Sequence, residues 1–290
     1  MHETRNPTAS SVSGDKLYQL RARAALPMLV RQAKARQKIS YGDLASELLM
    51  PNARNLNDVL GAIGKAMLEL GGRWGTKVPP LQALAVNKKT NLPGEGVSWY
   101  APDAAQFKTA SLQERRCISE AMLKEVSVFR RWDDVLYALG LEPLCPPCDV
   151  LPPVEEVVRR GGFAEGEVHR KLKQVIAAHP EWLGLPAALA PGELEVPLYS
   201  GDRVDVVFAS KSRRIAVEVK AQDAPVSDLV RGMFQCVKYA AVLDAEARTR
   251  QVNLDCRAIL ALGGILPTDL SSLRATLGID VRDGLATRAV

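Results

Sequence analysis

A chain of 290 residues is longer than a typical single domain, and its 47% apolar content is ordinary for a soluble globular protein, so two packed domains are expected. Apolar runs such as 83–86 and 258–262 are far too short to cross a bilayer, which excludes a helical membrane protein. The net charge of +5 is uneven: residues 1–110 hold fifteen Lys/Arg against eight Asp/Glu, which leaves 23 against 25 of the total 38 and 33 for the rest. The basic N-terminal part is therefore the one expected to meet a polyanion.

Residues 1–14 are polar and small, without the apolar core of a signal peptide; a disordered leader and a cytoplasmic location are expected. From 16 to 38 a helical pattern carries Leu17, Leu20, Ala24, Leu29 and Val30 among arginines. Ser40 is placed to cap a second helix with Leu44, Leu48 and Leu49 inward, and Pro51 stops it. Asn55 opens a third helix with Val59, Leu60, Ile63, Met67 and Leu68, which Gly71-Gly72 ends. After Pro79-Pro80, residues 81–87 are expected to form a strand, 90–96 a turn and 97–100 a returning strand. Lys88 and Lys89, between strand and turn, are assigned to nucleic-acid binding. Helices follow over 112–126 and 132–139, and the four prolines within 144–153 mark a linker, taken as 144–160.

Three helices and a β-hairpin are the order of a winged helix-turn-helix. The stretch from Ile39-Ser-Tyr-Gly-Asp-Leu-Ala45 to Gly94-Glu-Gly96 resembles the DNA-binding domain of alkylguanine-DNA alkyltransferase-like proteins. That family's reactive Pro-Cys-His-Arg is missing; Val78-Pro-Pro-Leu81 stands in its region, and without a thiolate alkyl transfer is excluded. The resemblance implies a DNA-reading scaffold over 15–143, with a small helical domain for protein contact as the rival. The five cysteines are sparse and odd in number, which argues for a reducing compartment. Cys145-Pro-Pro-Cys148 has zinc-knuckle spacing but lacks a second ligand pair, so it is read as linker.

Beyond the linker the pattern becomes helix, three strands, helix, strand, helix and a last strand, an α/β or α+β domain over 161–290. Two of the strands are Arg203-Val-Asp-Val-Val-Phe-Ala209 and Arg214-Ile-Ala-Val-Glu-Val-Lys220. A four-residue loop between them sets 209 opposite 214, 207 opposite 216 and Asp205 opposite Glu218, with Lys220 on the same face. Val204, Val206, Phe208, Ile215, Val217 and Val219 collect on the other, leaving the charged face free of the core. Two carboxylates that close call for a cation between them, and Mg²⁺ prefers such oxygen ligands.

The run from Glu193 through Asp205, then Glu218-Val-Lys220, resembles the PD-(D/E)XK (restriction-endonuclease-like, RecB-like) nuclease core, whose order is αβββαβ. Val204 stands where the motif's proline would be. The resemblance implies that Asp205, Glu218 and the Val219 carbonyl bind Mg²⁺, with Mn²⁺ able to substitute, and that Lys220 activates water. On the preceding helix Glu165 falls inside the stripe of Val168, Leu172, Val175 and Ile176; it is assigned a second-metal or outer-sphere role, with Glu167 in reserve, against the plain alternative of acids in a first helical turn. Gln235 and Tyr239 resemble the Gln-x-x-x-Tyr signature of RecB-like nucleases, with a plain amphipathic helix as the rival. Gln235 joins the catalytic set, Tyr239 is read as packing on the strand or bordering the DNA, and Tyr239, Lys238 and Arg231 are assigned to nucleic acid. Cys236 is read as a buried small hydrophobe.

The sequence thus predicts an endodeoxyribonuclease, by analogy of architecture restriction-like or anti-phage, with DNA as partner and a homodimer for cutting both strands. A catalytically silent DNA-binding scaffold and a structure-specific repair nuclease are the alternatives.

Overall fold

The computed structural model describes residues 10–94, 96–97, 110–144 and 167–288. The chain divides between Pro146 and Pro147 into two compact units, each mixing helix and sheet. Among the described residues no helix is long and apolar enough to cross a membrane.

The first unit is built on α1 (Leu17–Ala35) and α3 (Leu56–Trp74), which pack together. Leu56, Val59, Ile63, Met67 and Leu70 recur at three- and four-residue spacing and are all buried, so one stripe of α3 makes the core. Between them lies α2 (Tyr41–Glu47), capped as expected by the Ser40 hydroxyl, which accepts the Asp43 amide at 3.1 Å. Asn55 occupies the position before α3 without a side-chain cap bond. Then come α4 (Leu112–Val128), opened by a Ser111/Glu114 capping box, and α5 (Trp132–Ala138).

Several expectations fail here for local reasons. Residues 10–14 are folded: Val12 is buried, and Arg23 donates to the carbonyls of Val12 and Gly14. Leu49 is 92% exposed, because it adopts φ 52° just past α2 and Met50 takes the inward place. Gly71-Gly72 do not stop α3, which ends at the left-handed Gly75. Residues 81–87 are not one strand. Leu81–Leu84 form a 3₁₀ turn and only Ala85–Val86 (β2) pair, in parallel with Ile39–Ser40 (β1). Leu81, Ala83 and Leu84 are all buried, so no face is left for the alternation a half-buried strand needs. Val97 lies in a helical turn under α4, beside Ala83 and Met122, rather than opening a returning strand; residues 98–100 lie outside the described residues.

The second unit follows the order read from the pattern: α6 (Glu167–Ala178), β3 (Glu193–Pro197), β4 (Arg203–Ala209), β5 (Arg213–Lys220), α7 (Val226–Thr249), β6 (Asp255–Leu262), α8 (Ser271–Leu277) and β7 (Asp280–Arg282). The strands form one sheet in chain order, antiparallel from β3 to β5 and parallel from β5 to β7. Parallel neighbours require crossovers, and α7 and α8 are those crossovers. Both sheet faces are therefore covered. Val206, Phe208, Ile215, Val217 and Val219 pack against Leu172, Ile176 and Ala177 of α6. On the reverse, Val204, Val207 and Ala216 meet Tyr239 and Leu243 of α7.

Candidate active site

The β4–β5 hairpin has the expected register, Ala209 opposite Arg214 and Val207 opposite Ala216, but pairing stops at Val206 opposite Val217. The cause is a rotation of β4 at Asp205. Residues two apart on a strand share a face, yet Val206 faces α6 while Val204 faces α7. Asp205 is turned into the gap, where its Oδ2 accepts the Val219 amide at 2.8 Å. A strand residue sends its amide and carbonyl to the same neighbour, so the Val219 carbonyl also points to the β4 side, beside Asp205. The Lys220 carbonyl points the other way and accepts the Gly263 amide at 2.8 Å.

Glu218 and Lys220 share the α7 face of β5, and their side chains meet at 2.7 Å. This face is not free of the core, as the alternation alone suggested. Glu218 is 4% and Lys220 7% exposed, because the crossover to β6 lays α7 over them. The approach is closest at Gly232, where a Cβ would stand 2.9 Å from Lys220 Cε and 2.9 Å from Leu260 Cδ1. Burial pushes the Glu218 carboxyl up to about 6; the Lys220 ammonium opposes that rise and the Asp205 carboxylate adds to it.

Gln235 and Tyr239 are one turn apart on α7, joined by a 3.1 Å bond from the amide nitrogen to the phenol oxygen. The Tyr239 hydroxyl also lies 3.3 Å from the Arg203 carbonyl and within reach of Glu218, so its one proton serves one of them at a time. Burial, then the Glu218 charge, raises the phenol and keeps it protonated. Tyr239 is 2% exposed, which removes it as a nucleic-acid contact and makes it a support for β4 and Glu218. Cys236 is buried, and burial raises its thiol well above the ordinary range, as suits an inert core residue.

The α6 side differs most from expectation. Glu165 lies outside the described residues. Glu167 points to solvent and pairs with Lys171 at 2.8 Å, and Val168 is exposed rather than part of the apolar stripe. The inward face is Leu172, Lys173, Ile176 and Ala177. Lys173, 4% exposed, forms an ion pair with Glu195 of β3 and stands 3.4 Å from Asp205 Oδ1. Glu195 falls at the one β3 position between the Leu194–Val206 and Val196–Val204 pairs, opposite Asp205, and carries φ 53°. His169, one turn before Lys173, brings its buried, unbonded Nε2 to 3.9 Å from Asp205 Oδ2. Gln235 Oε1 is likewise buried without a partner. An α6 wheel at about 100° per residue puts Lys173 about 60° beyond Ile176, outside the stripe of Val168, Leu172, Val175 and Ile176 that singled out Glu165, so periodicity did not point to it.

Of the remaining assigned residues, Lys238 is tied to Asp202 at 2.5 Å and Arg231 lies 3.7 Å from Asp228. Lys88 and Lys89 are exposed in the first unit, on a turn closed by the Asn91 amide to the Asn87 carbonyl at 2.8 Å. Among the described residues no three His, Cys, Asp or Glu side chains come together as a metal cluster.

No protein-family model, curated protein or solved structure matches this chain.

Proposed function

We propose that the second unit is a metal-dependent phosphodiesterase of the PD-(D/E)XK kind, with Mg²⁺ as its cation, and that the mainly helical first unit is a DNA-binding module. The observation that carries this is the docking of Asp205 on the Val219 amide beside the Glu218–Lys220 pair. It puts two carboxylates and a carbonyl at the point where the sheet changes from antiparallel to parallel.

The donor set suits Mg²⁺, which takes one or two carboxylates and keeps several waters. Each carboxylate oxygen has more than one lone pair, so the amide bond to Asp205 and the lysine bond to Glu218 leave acceptor capacity on both. Asp205, Glu218 and the Val219 carbonyl would hold the ion, which supplies positive charge against the phosphate. The remaining steps belong to the chain. Lys220, fixed by Glu218 and the close pass of α7, is positioned to hold the attacking water and take part in its proton transfer. Gln235 offers its free carbonyl oxygen as an acceptor at the same site. A phosphodiester in DNA is the substrate this reading favours, because the basic surplus lies in the first unit.

A second reading is favoured by the two lysines, which already neutralise most of the carboxylate charge: a unit that grips DNA without cutting it. Supercoiled, linear and single-stranded DNA incubated with Mg²⁺ or with EDTA, beside Lys220→Ala, separates the two. Cleavage that needs Mg²⁺ and falls about 10²–10⁴-fold in Lys220→Ala is expected. Absence of Mg²⁺-dependent cleavage on every substrate supports the silent reading, and full cleavage by Lys220→Ala refutes the site.

A further inference from the structure

We propose that Lys173 takes, as a fixed ammonium, the place between Asp205 and Glu195 that a second divalent cation would need, so that the site holds a single ion between Asp205 and Glu218. The inference rests on the metal-dependent reading above and deepens it.

The ammonium is built in rather than incidental. Its side chain is 6% exposed and leaves α6 between Leu172 and Ile176, both in the core against β4 and β5. A buried ammonium requires fixed opposite charge, and it has two carboxylates, Glu195 in direct contact and Asp205 at 3.4 Å. Glu195 reaches it from a left-handed backbone conformation that non-glycine residues adopt only under constraint. The division of Asp205 follows from this. Oδ1 faces Lys173, while Oδ2 faces the Val219 amide on the β5 side, where the Val219 carbonyl also points.

Charge decides the stoichiometry. Asp205, Glu195 and Glu218 bring three negative charges, and Lys173 and Lys220 bring two positive ones. One divalent ion reverses the remaining negative charge. A second ion at Asp205 and Glu195 would stand within contact range of the Lys173 ammonium in a partly buried site, where like charges repel strongly. Removing the ammonium removes that repulsion and frees both carboxylates. Lys173 is in this sense a positioning residue: it fixes Asp205 and Glu195 without itself holding the ion.

Mn²⁺ binding to the full chain, followed by calorimetry and electron paramagnetic resonance, tests this without any substrate. One ion per chain is expected for the wild type, two for Lys173→Gln, and one again for Lys173→Gln combined with Glu195→Gln. Glu195→Gln alone keeps Lys173 on Asp205 and is expected to bind one ion within about threefold of wild-type affinity. Two ions in the wild type, a folded Lys173→Gln that still binds one, or a tenfold weaker ion in Glu195→Gln would each overturn the inference. No bound ion in the wild type overturns instead the metal-dependent reading on which it rests.

Discussion

The Asp205 carboxylate accepts the Val219 amide at 2.8 Å, so a side chain completes a strand ladder that the main chain leaves open. A buried amide left unbonded costs about 1–3 kcal/mol, and Asp205→Ala is expected to lose at least that much in urea unfolding. Asp205→Asn keeps an acceptor at the same place and is expected to stay within about 1 kcal/mol of the wild type. Its loss appears instead in Mn²⁺ affinity, because the charge is gone. Equal destabilisation in the two variants would show that the amide bond contributes nothing.

Glu218 gives the site its pH dependence. Its carboxyl holds a proton up to about 6 in the folded chain, against an ordinary 4.5. Between those values the folded state binds more protons than the unfolded state, so stability falls as pH rises through the window. The change attributable to Glu218 is about 2 kcal/mol, read as the difference between wild type and Glu218→Gln in metal-free urea unfolding from pH 4 to 7. Mn²⁺ affinity runs the other way, steady above about pH 6 and weakening by up to about tenfold per unit below it, since the ligand must be ionised. A Glu218-dependent stability that grew with pH across the window would contradict the sign.

Gly232 is where α7 passes over Lys220. A methyl there meets Lys220 Cε and Leu260 Cδ1, each at 2.9 Å. Gly232→Ala is expected to displace the ammonium from Glu218 and lower cleavage about 10²-fold, the scale for an ångström of misplacement. Overpacking sets the stability change, about 1–3 kcal/mol less the gain in helix propensity. Gly61 on α3 is the control, because a methyl there meets nothing within 4 Å. Gly61→Ala is expected to stabilise by up to about 1 kcal/mol and leave cleavage unchanged. Matching kinetic effects of the two would show that Lys220 is not the group disturbed.

How much of this was legible in the sequence depended on which interactions are local. The β4–β5 register and the order of strands and helices were readable, because alternation and turn composition are written in adjacent residues. The rotation at Asp205 was not. It arises from a contact between that carboxylate and the main chain fourteen residues later. The burial of Glu218 and Lys220 was missed for a related reason, since only the parallel pairing of β6 forces α7 across that face. Lys173 was overlooked because a lysine is ordinarily a surface residue, and its countercharges come from β3 and β4. In the first unit the wing expected at 81–100 depended on reading Leu81, Ala83 and Leu84 as one strand, when all three are enclosed by helices.

Lys88 and Lys89 test the other half of the proposal. They are exposed on a turn whose shape is set by Asn87, which accepts the Lys89 amide at 2.8 Å and, through its carbonyl, the Asn91 amide. Neither side chain is needed for the fold, so Lys88→Ala/Lys89→Ala is expected to unfold like the wild type. If both neutralise DNA phosphates, each contributes about 0.9 to the slope of log affinity against log salt, and the double variant is expected to lose a little under about two from that slope. The weakening should be the same on unrelated duplexes, because phosphate contacts carry no sequence information. Fluorescence anisotropy with labelled duplexes between about 50 and 200 mM salt measures it. An unchanged slope would remove the turn from the DNA-binding surface, while cleavage at saturating DNA should be untouched, because neither lysine belongs to the Asp205 site.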